Sequence, residues 1–104
     1  MKWKFLSLLT LISLAACTPK PFRGTFSERD NSCILLEYMK ILPDRTVDLK
    51  YISVYDPVQF NAQFKGDTLI IPEQKRTWYF KLKNDTLTEI SNIDYRCFLV
   101  RDTD

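Results

Sequence analysis

Histidine is absent from this 104-residue chain, and with it goes the side chain that most often serves as general base and as metal ligand near neutral pH. A hydrolase built here would have to lean on lysine or a carboxylate as base. The aspartates, however, are spread one per turn at Asp44, Asp56, Asp67, Asp85 and Asp94, where solvated turns put them. No nucleophile and base are brought together, and the chain is not expected to be an enzyme. Only two glycines occur, so glycine-rich phosphate loops and nucleotide fingerprints are missing, and bends must rely on Asn, Asp and Pro. Cysteine is scarce as well. Cys33 and Cys97, far apart and with no histidine to join them, do not make a zinc set, and no metal or cofactor is expected. Long apolar runs are also lacking. The run over residues 5–14 is broken by Ser7, Thr10 and Ser13 and falls short of the roughly 20 apolar residues of a membrane-spanning helix.

What that short run does have is a setting. Lys2 and Lys4 precede it, Ala15 and Ala16 follow it, and Cys17 comes next. A positive start, a short apolar segment and small residues form the three parts of a secretory signal. Leu14-Ala15-Ala16-Cys17 resembles the lipobox of bacterial lipoproteins. The resemblance implies that residues 1–16 are removed, that Cys17 becomes the first residue of the mature chain, and that its acylated sulfur sits in a membrane leaflet. An ordinary cleaved signal with an incidental cysteine is the alternative. Each buried methylene contributes about 0.8 kcal/mol, so several acyl chains together hold firmly. The absence of aspartate just after Cys17 implies, by the sorting preference of such lipoproteins, the outer membrane, with the domain on the periplasmic side of a bacterial envelope.

Removing residues 1–16 leaves 88, enough for one small domain. Of the 15 Lys and Arg, all but Lys2 and Lys4 remain, so 13 stand against 13 Asp and Glu. Their signs are interspersed with no basic patch, so electrostatic binding is expected neither to nucleic acid nor to anionic lipid headgroups, and membrane attachment is expected from the acyl chains instead. With Cys17 taken by lipid, Cys33 and Cys97 are an even pair in an oxidising compartment and read as a disulfide. Two buried thiols are the alternative. Closing a loop of that length stabilises a fold by about 4 kcal/mol in the chain-entropy picture.

Residues 18–21 hold two prolines and read, with Cys17, as an extended tether spanning 17–21. The domain is expected over residues 22–101, ahead of an acidic tail at 102–104. Residues 22–27 alternate aromatic and polar around Gly24, a first strand. Residues 33–42 are apolar at nearly every position and fit either a buried strand or a short helix. The turn residues Pro43 and Asp44, followed by period-two alternation over residues 47–51, favour a hairpin. Phe60 and Phe64 anchor a short strand or a packed loop. Further strands are read over residues 68–71, 77–83, 86–90 and 95–101. Within 77–83, Trp78, Phe80 and Leu82 share one face and Tyr79, Lys81 and Lys83 the other. The sum is an all-β fold of about seven or eight short strands, a small antiparallel meander forming a closed or partly open barrel stapled by one disulfide. In an up-and-down order the first and last strands become neighbours, which brings Cys33 near Cys97.

From Gly66 onward the chain resembles the bacterial lipocalin-like domains. The matching features are the Gly66-Asp67 turn, Thr68-Leu69-Ile70-Ile71, the aromatic strand at Trp78 to Phe80, Asn84-Asp85-Thr86-Leu87-Thr88, and a final strand closing on Arg101. Phe22-Arg23-Gly24-Thr25-Phe26 is similar to the opening glycine strand of such domains. The resemblance implies a meander barrel, and some relatives carry small apolar ligands or act as envelope-stress lipoproteins. This chain is short for a lipocalin and lacks the Cys-x-x-Cys pair of the copper-stress envelope lipoproteins. Trp78, Phe80 and Leu82 are candidates for a cavity wall, although aromatics more often fill so small a barrel. Tyr79, Lys81 and Lys83, with Tyr51 and Tyr55 nearby, are candidates for a docking face, since tyrosine is enriched at protein interfaces. A merely solvated face is the alternative. The expected function is a lipid-anchored, non-catalytic interaction or accessory module on another envelope component, and the alternative is a lipocalin-like binder of a small apolar ligand.

Overall fold

The computed structural model of the chain describes residues 17–91 and 96–103. Residues 1–16, where the signal segment with Leu14, Ala15 and Ala16 is expected, lie outside the described residues, as do Asp94, Tyr95 and Asp104. Among the described residues nine strands follow one another: β1 (Gly24–Ser27), β2 (Leu36–Ile41), β3 (Thr46–Tyr51), β4 (Val58–Asn61), β5 (Gln63–Lys65), β6 (Thr68–Pro72), β7 (Thr77–Lys83), β8 (Thr86–Glu89) and β9 (Phe98–Arg101). They form one sheet in the order β4-β3-β2-β1-β9-β8-β7-β6-β5. β1 pairs antiparallel with both β2 and the last strand β9, so the meander curls into a nearly closed barrel. Beside that join Cys33 faces Cys97 in an isolated bridge, and the two form a disulfide with Cα atoms 4.0 Å apart.

The strand count exceeds the expected seven or eight for a specific reason. Neighbours are antiparallel throughout, so β4 and β5, at opposite ends of the order, run the same way, and only Ala62 separates them. They are two halves of one strand bent at Ala62. The first half pairs with β3 (Val47 opposite Phe60) and the second with β6 (Phe64 opposite Leu69). Ala62 is buried at the bend and its N–H donates to the Arg45 carbonyl at 2.8 Å.

The core lines the inside. Phe26, Met39, Leu49, Leu69, Phe80 and Leu99 are all fully buried. Along β7 the alternation follows the sequence: Trp78 and Phe80 point in, and Tyr79, Lys81 and Lys83 point out. β2 does not alternate. Its register against β3 shifts between Leu36 and Tyr38, and a bulge of this kind resets which side faces the core. Leu36, Met39 and Ile41 therefore all point in, which is why residues 33–42 show no period of two. The segment is a strand only from Leu36.

Three further expectations are corrected. The first strand begins at Gly24, because Lys20–Phe22 form a 3₁₀ turn favoured by the fixed φ of the flanking prolines. The last strand is confined to Phe98–Arg101 among the described residues. The tether at residues 18–21 is not extended but docked on the barrel. Thr18 is buried, its N–H donates to the Pro43 carbonyl at 2.8 Å, and its hydroxyl accepts the Arg45 N–H at 2.8 Å. Phe22 packs on Phe64 with ring centroids 4.9 Å apart.

Candidate functional site

Alternating strand direction sorts the connections to two ends. The N-terminal segment shares a proximal end with the turns at 42–45, 66–67 and 84–85. The connections at 28–35, 52–57 and 73–76, together with residues 90–91 and 96–97, make the far rim among the described residues.

The proximal end is tied together by Arg101. Opposite Phe26 in the β1–β9 pairing, its guanidinium lies 4.5 Å from that ring. Its Nε donates to Asp85 Oδ1 at 2.9 Å, and its terminal nitrogens donate to the carbonyls of Pro21 and Arg23. Gly24 permits this approach. Its φ is +119°, and a Cβ there would stand 3.1 Å from Arg101 Nη1. Gly24, Phe26 and Arg101, far apart in the sequence, thus meet in one contact. A groove of about 500 Å³ lies beside them, lined by Pro19, Phe22, Asp67, Leu82 and Lys83 among others.

Of the candidate cavity wall, Trp78 and Phe80 are packed core, stacked at 5.6 Å with 16° between their planes. Leu82 is half-buried and faces the proximal groove. The candidate docking face is on the outside as expected: Tyr79, Lys81 and Lys83 are exposed, with Lys81 Nζ 3.9 Å from Asp67 Oδ2. Tyr51 is not part of that face. It ends β3 half-buried and reaches across the barrel's open seam.

That seam lies at the far rim, where β4 has lost a partner on one side because β5 takes up β6. Val58 and Phe60 sit opposite Leu49 and Val47, whose side chains fill the core, yet Val58 is exposed and Phe60 only half-buried. A groove of about 590 Å³ opens there, lined by Tyr51, Val54, Val58, Phe60, Pro72 and Glu73, with Gln74 and Lys75 at its edge. Glu73 bridges it. One carboxylate oxygen accepts the Tyr51 hydroxyl at 2.6 Å and the Trp78 indole N–H at 3.1 Å, which satisfies the polar edge of an otherwise buried ring. Arg76 lies 4.5 Å over the same indole. Burial, then the hydrogen bond to Glu73, pushes the Tyr51 phenol up to about 12. The rim also carries exposed apolar side chains: Tyr55 (93%), Ile34 (63%), Ile52, Val54 and Val58. Ile52 is tied to the neighbouring connection through its N–H, which donates to the Leu35 carbonyl at 2.9 Å.

Sequence reasoning missed Glu73, and also Glu89, which is buried at the rim end of β8 and accepts the Ser91 hydroxyl. Nothing local marks Glu73, which reads as polar connection, whereas Glu89 lies in the expected strand over 86–90, where a period of two puts it on the same inward face as Leu87. Among the described residues no three Cys, Asp or Glu side chains gather as a metal-holding group, and no helix is long and apolar enough to cross a membrane. No protein-family model matches the chain, and no curated protein or solved structure does either.

Proposed function

We propose that this chain is a lipid-anchored lipoprotein of the bacterial envelope, held by an acylated Cys17 at the periplasmic face of the outer membrane, and that its lipocalin-like barrel is a non-catalytic docking module for another envelope component. The observation that carries the docking reading is how the apolar side chains divide. Inside, Trp78, Phe26, Phe80 and their neighbours pack to full burial, while Ile34, Ile52, Val54, Tyr55 and Val58 are exposed on the rim farthest from Cys17. Exposed apolar patches on small domains mark interaction sites. The filled interior favours docking over carriage of a small apolar ligand, for which the groove at the seam is the remaining place. The contact among Gly24, Phe26 and Arg101 supports the lipocalin-like reading.

The test has two parts. Mass spectrometry of the chain extracted from membranes should show residue 17 as the amino terminus and carrying acyl mass, and Cys17→Ser should release the domain to the soluble periplasm. A photo-crosslinking side chain placed at residue 55 or at residue 79, in living cells, then locates the docking face. One dominant adduct from residue 55 is expected. An adduct from residue 79 alone, lost on changing Lys81 to Ala, moves the face to β7, and no adduct from either position overturns docking.

A further inference from the structure

We propose that the proximal end of the barrel is a membrane-seating face, where basic side chains around the docked N-terminal segment lie on anionic phospholipid headgroups and hold the barrel upright on the bilayer. This rests on the acylated-Cys17 reading and adds to it an orientation and a headgroup contact.

The first observation is where the chain meets its anchor. Cys17 is exposed, and the very next residue, Thr18, is already buried and pinned to the 42–45 turn. Consecutive Cα atoms are about 3.8 Å apart, so an acyl chain on Cys17 leaves no spacer. The lipid surface is brought against this end of the barrel.

The second observation is charge. The signs are interspersed along the sequence, but the fold sorts them. On the N-terminal segment and turns of the proximal end, Lys20, Arg23, Arg45, Lys65, Lys83 and Arg101 stand against Asp44, Asp67 and Asp85. Asp85 is drawn into an ion pair with Arg101 at 2.9 Å and Asp67 toward Lys81 at 3.9 Å. Asp102, just beyond, turns its carboxylate onto Ser27 and Arg29. Lys20, Lys65 and Lys83 are exposed. On the far rim the balance reverses, with Glu28, Asp30, Asp56, Glu73 and Glu89 against Arg29, Lys75, Arg76 and Arg96. Attraction between fixed charges and a lipid surface fades within a Debye length, about 8 Å at physiological salt. An anchor with no spacer keeps this end inside that distance, so the seat works with the acyl chains and does not replace them.

The test uses residues 17–104, which carry every strand, the whole core and the disulfide. Cys17 is the one cysteine outside the disulfide, so coupling it to a maleimide-bearing lipid fixes the protein to a vesicle without relying on acylation in the cell. Lysine acetylation is then read residue by residue by mass spectrometry. On phosphatidylglycerol vesicles, labelling should fall several-fold at Lys20, Lys65 and Lys83 relative to the protein in solution, with Lys75 unchanged. The protection should fade on phosphatidylcholine vesicles and at high salt. Changing Lys65 and Lys83 together to Glu should abolish protection at Lys20 while leaving the melting temperature unchanged. Protection of Lys75 in place of the proximal lysines, equal protection on neutral vesicles, or no protection at any lysine overturns the proposal. Acylation itself is read separately, from the mass of the membrane-extracted chain, so either idea can fail without the other.

Discussion

Gly24 and Gly66 both have positive φ, yet they sit in different surroundings and should respond differently to a side chain. At Gly24, φ is +119° and a Cβ would crowd the Arg101 guanidinium at 3.1 Å, whereas at Gly66, φ is +61° and nothing lies within 4 Å. The first is a conformation that residues other than glycine essentially never adopt, and the second is the left-handed region that asparagine tolerates. Gly24→Ala is expected to cost about 1–3 kcal/mol and Gly66→Asn less than about 0.5 kcal/mol, both read by urea denaturation. Equal losses would show that Arg101 does not press on this strand. Tyr51 gives a second residue-scale outcome. Its phenol rises from 10.0 to about 12, so the fold favours the protonated form. The stability this contributes is whole below about pH 10 and is lost as pH climbs toward 12. Ultraviolet titration should find Tyr51 ionising late, Glu73→Gln should bring it earlier, and Tyr51→Phe should abolish that late step. An unchanged titration in Glu73→Gln would remove the Tyr51–Glu73 hydrogen bond from the account.

Among the elements, those set by neighbouring residues were legible and those set by distant partners were not. The period of two in β7 and β3 survives because each is covered on one face and neither carries the extra residue of a bulge, and Asn84-Asp85, both with positive φ, form the tight turn their chemistry suggests. Cys33–Cys97 could be read from compartment and count. The bulge in β2 could not, because it exists only against β3. The bend at Ala62 could not either, because it records a change of partner from β3 to β6. Thr18 looked like spacer because its partners, Leu42, Pro43 and Arg45, lie more than twenty residues on. Site residues divided in the same way: the outward set Tyr79, Lys81 and Lys83 followed from alternation, while the Tyr51–Glu73–Trp78 bridge needs the barrel to close before it exists. The disulfide is the strongest single link between the β1–β2 connection and the approach to β9. Changing both Cys33 and Cys97 to Ala is expected to cost about 4 kcal/mol, a large share of the 5–15 kcal/mol typical of a domain. A urea midpoint unchanged from wild type would mean that the β1–β9 pairing holds the barrel closed without it.

For the molecule as a whole, the docked N-terminal segment and the seam lie at opposite ends, so the proposed anchoring and docking would not compete for surface. A barrel standing on its proximal end, as proposed, would present the 52–57 connection outward, and β7, at seven residues and about 3.3 Å each, would set the height at which a partner is met. Val54 and Val58 are exposed there; the Val54 N–H donates to the Tyr51 carbonyl at 3.3 Å, a backbone bond that a change of side chain keeps, and surface substitutions of this kind usually change stability by less than about 0.5 kcal/mol. Changing both to Asp should therefore leave thermal unfolding where it is, yet place two charges in an apolar contact and abolish crosslinking from residue 55. If the fold is unchanged and crosslinking persists at full yield, the rim is not where the partner sits. If the melting temperature falls by many degrees, Val58 belongs to the core that closes the seam, and Tyr55→Ala, at a side chain almost wholly in solvent, becomes the decisive substitution.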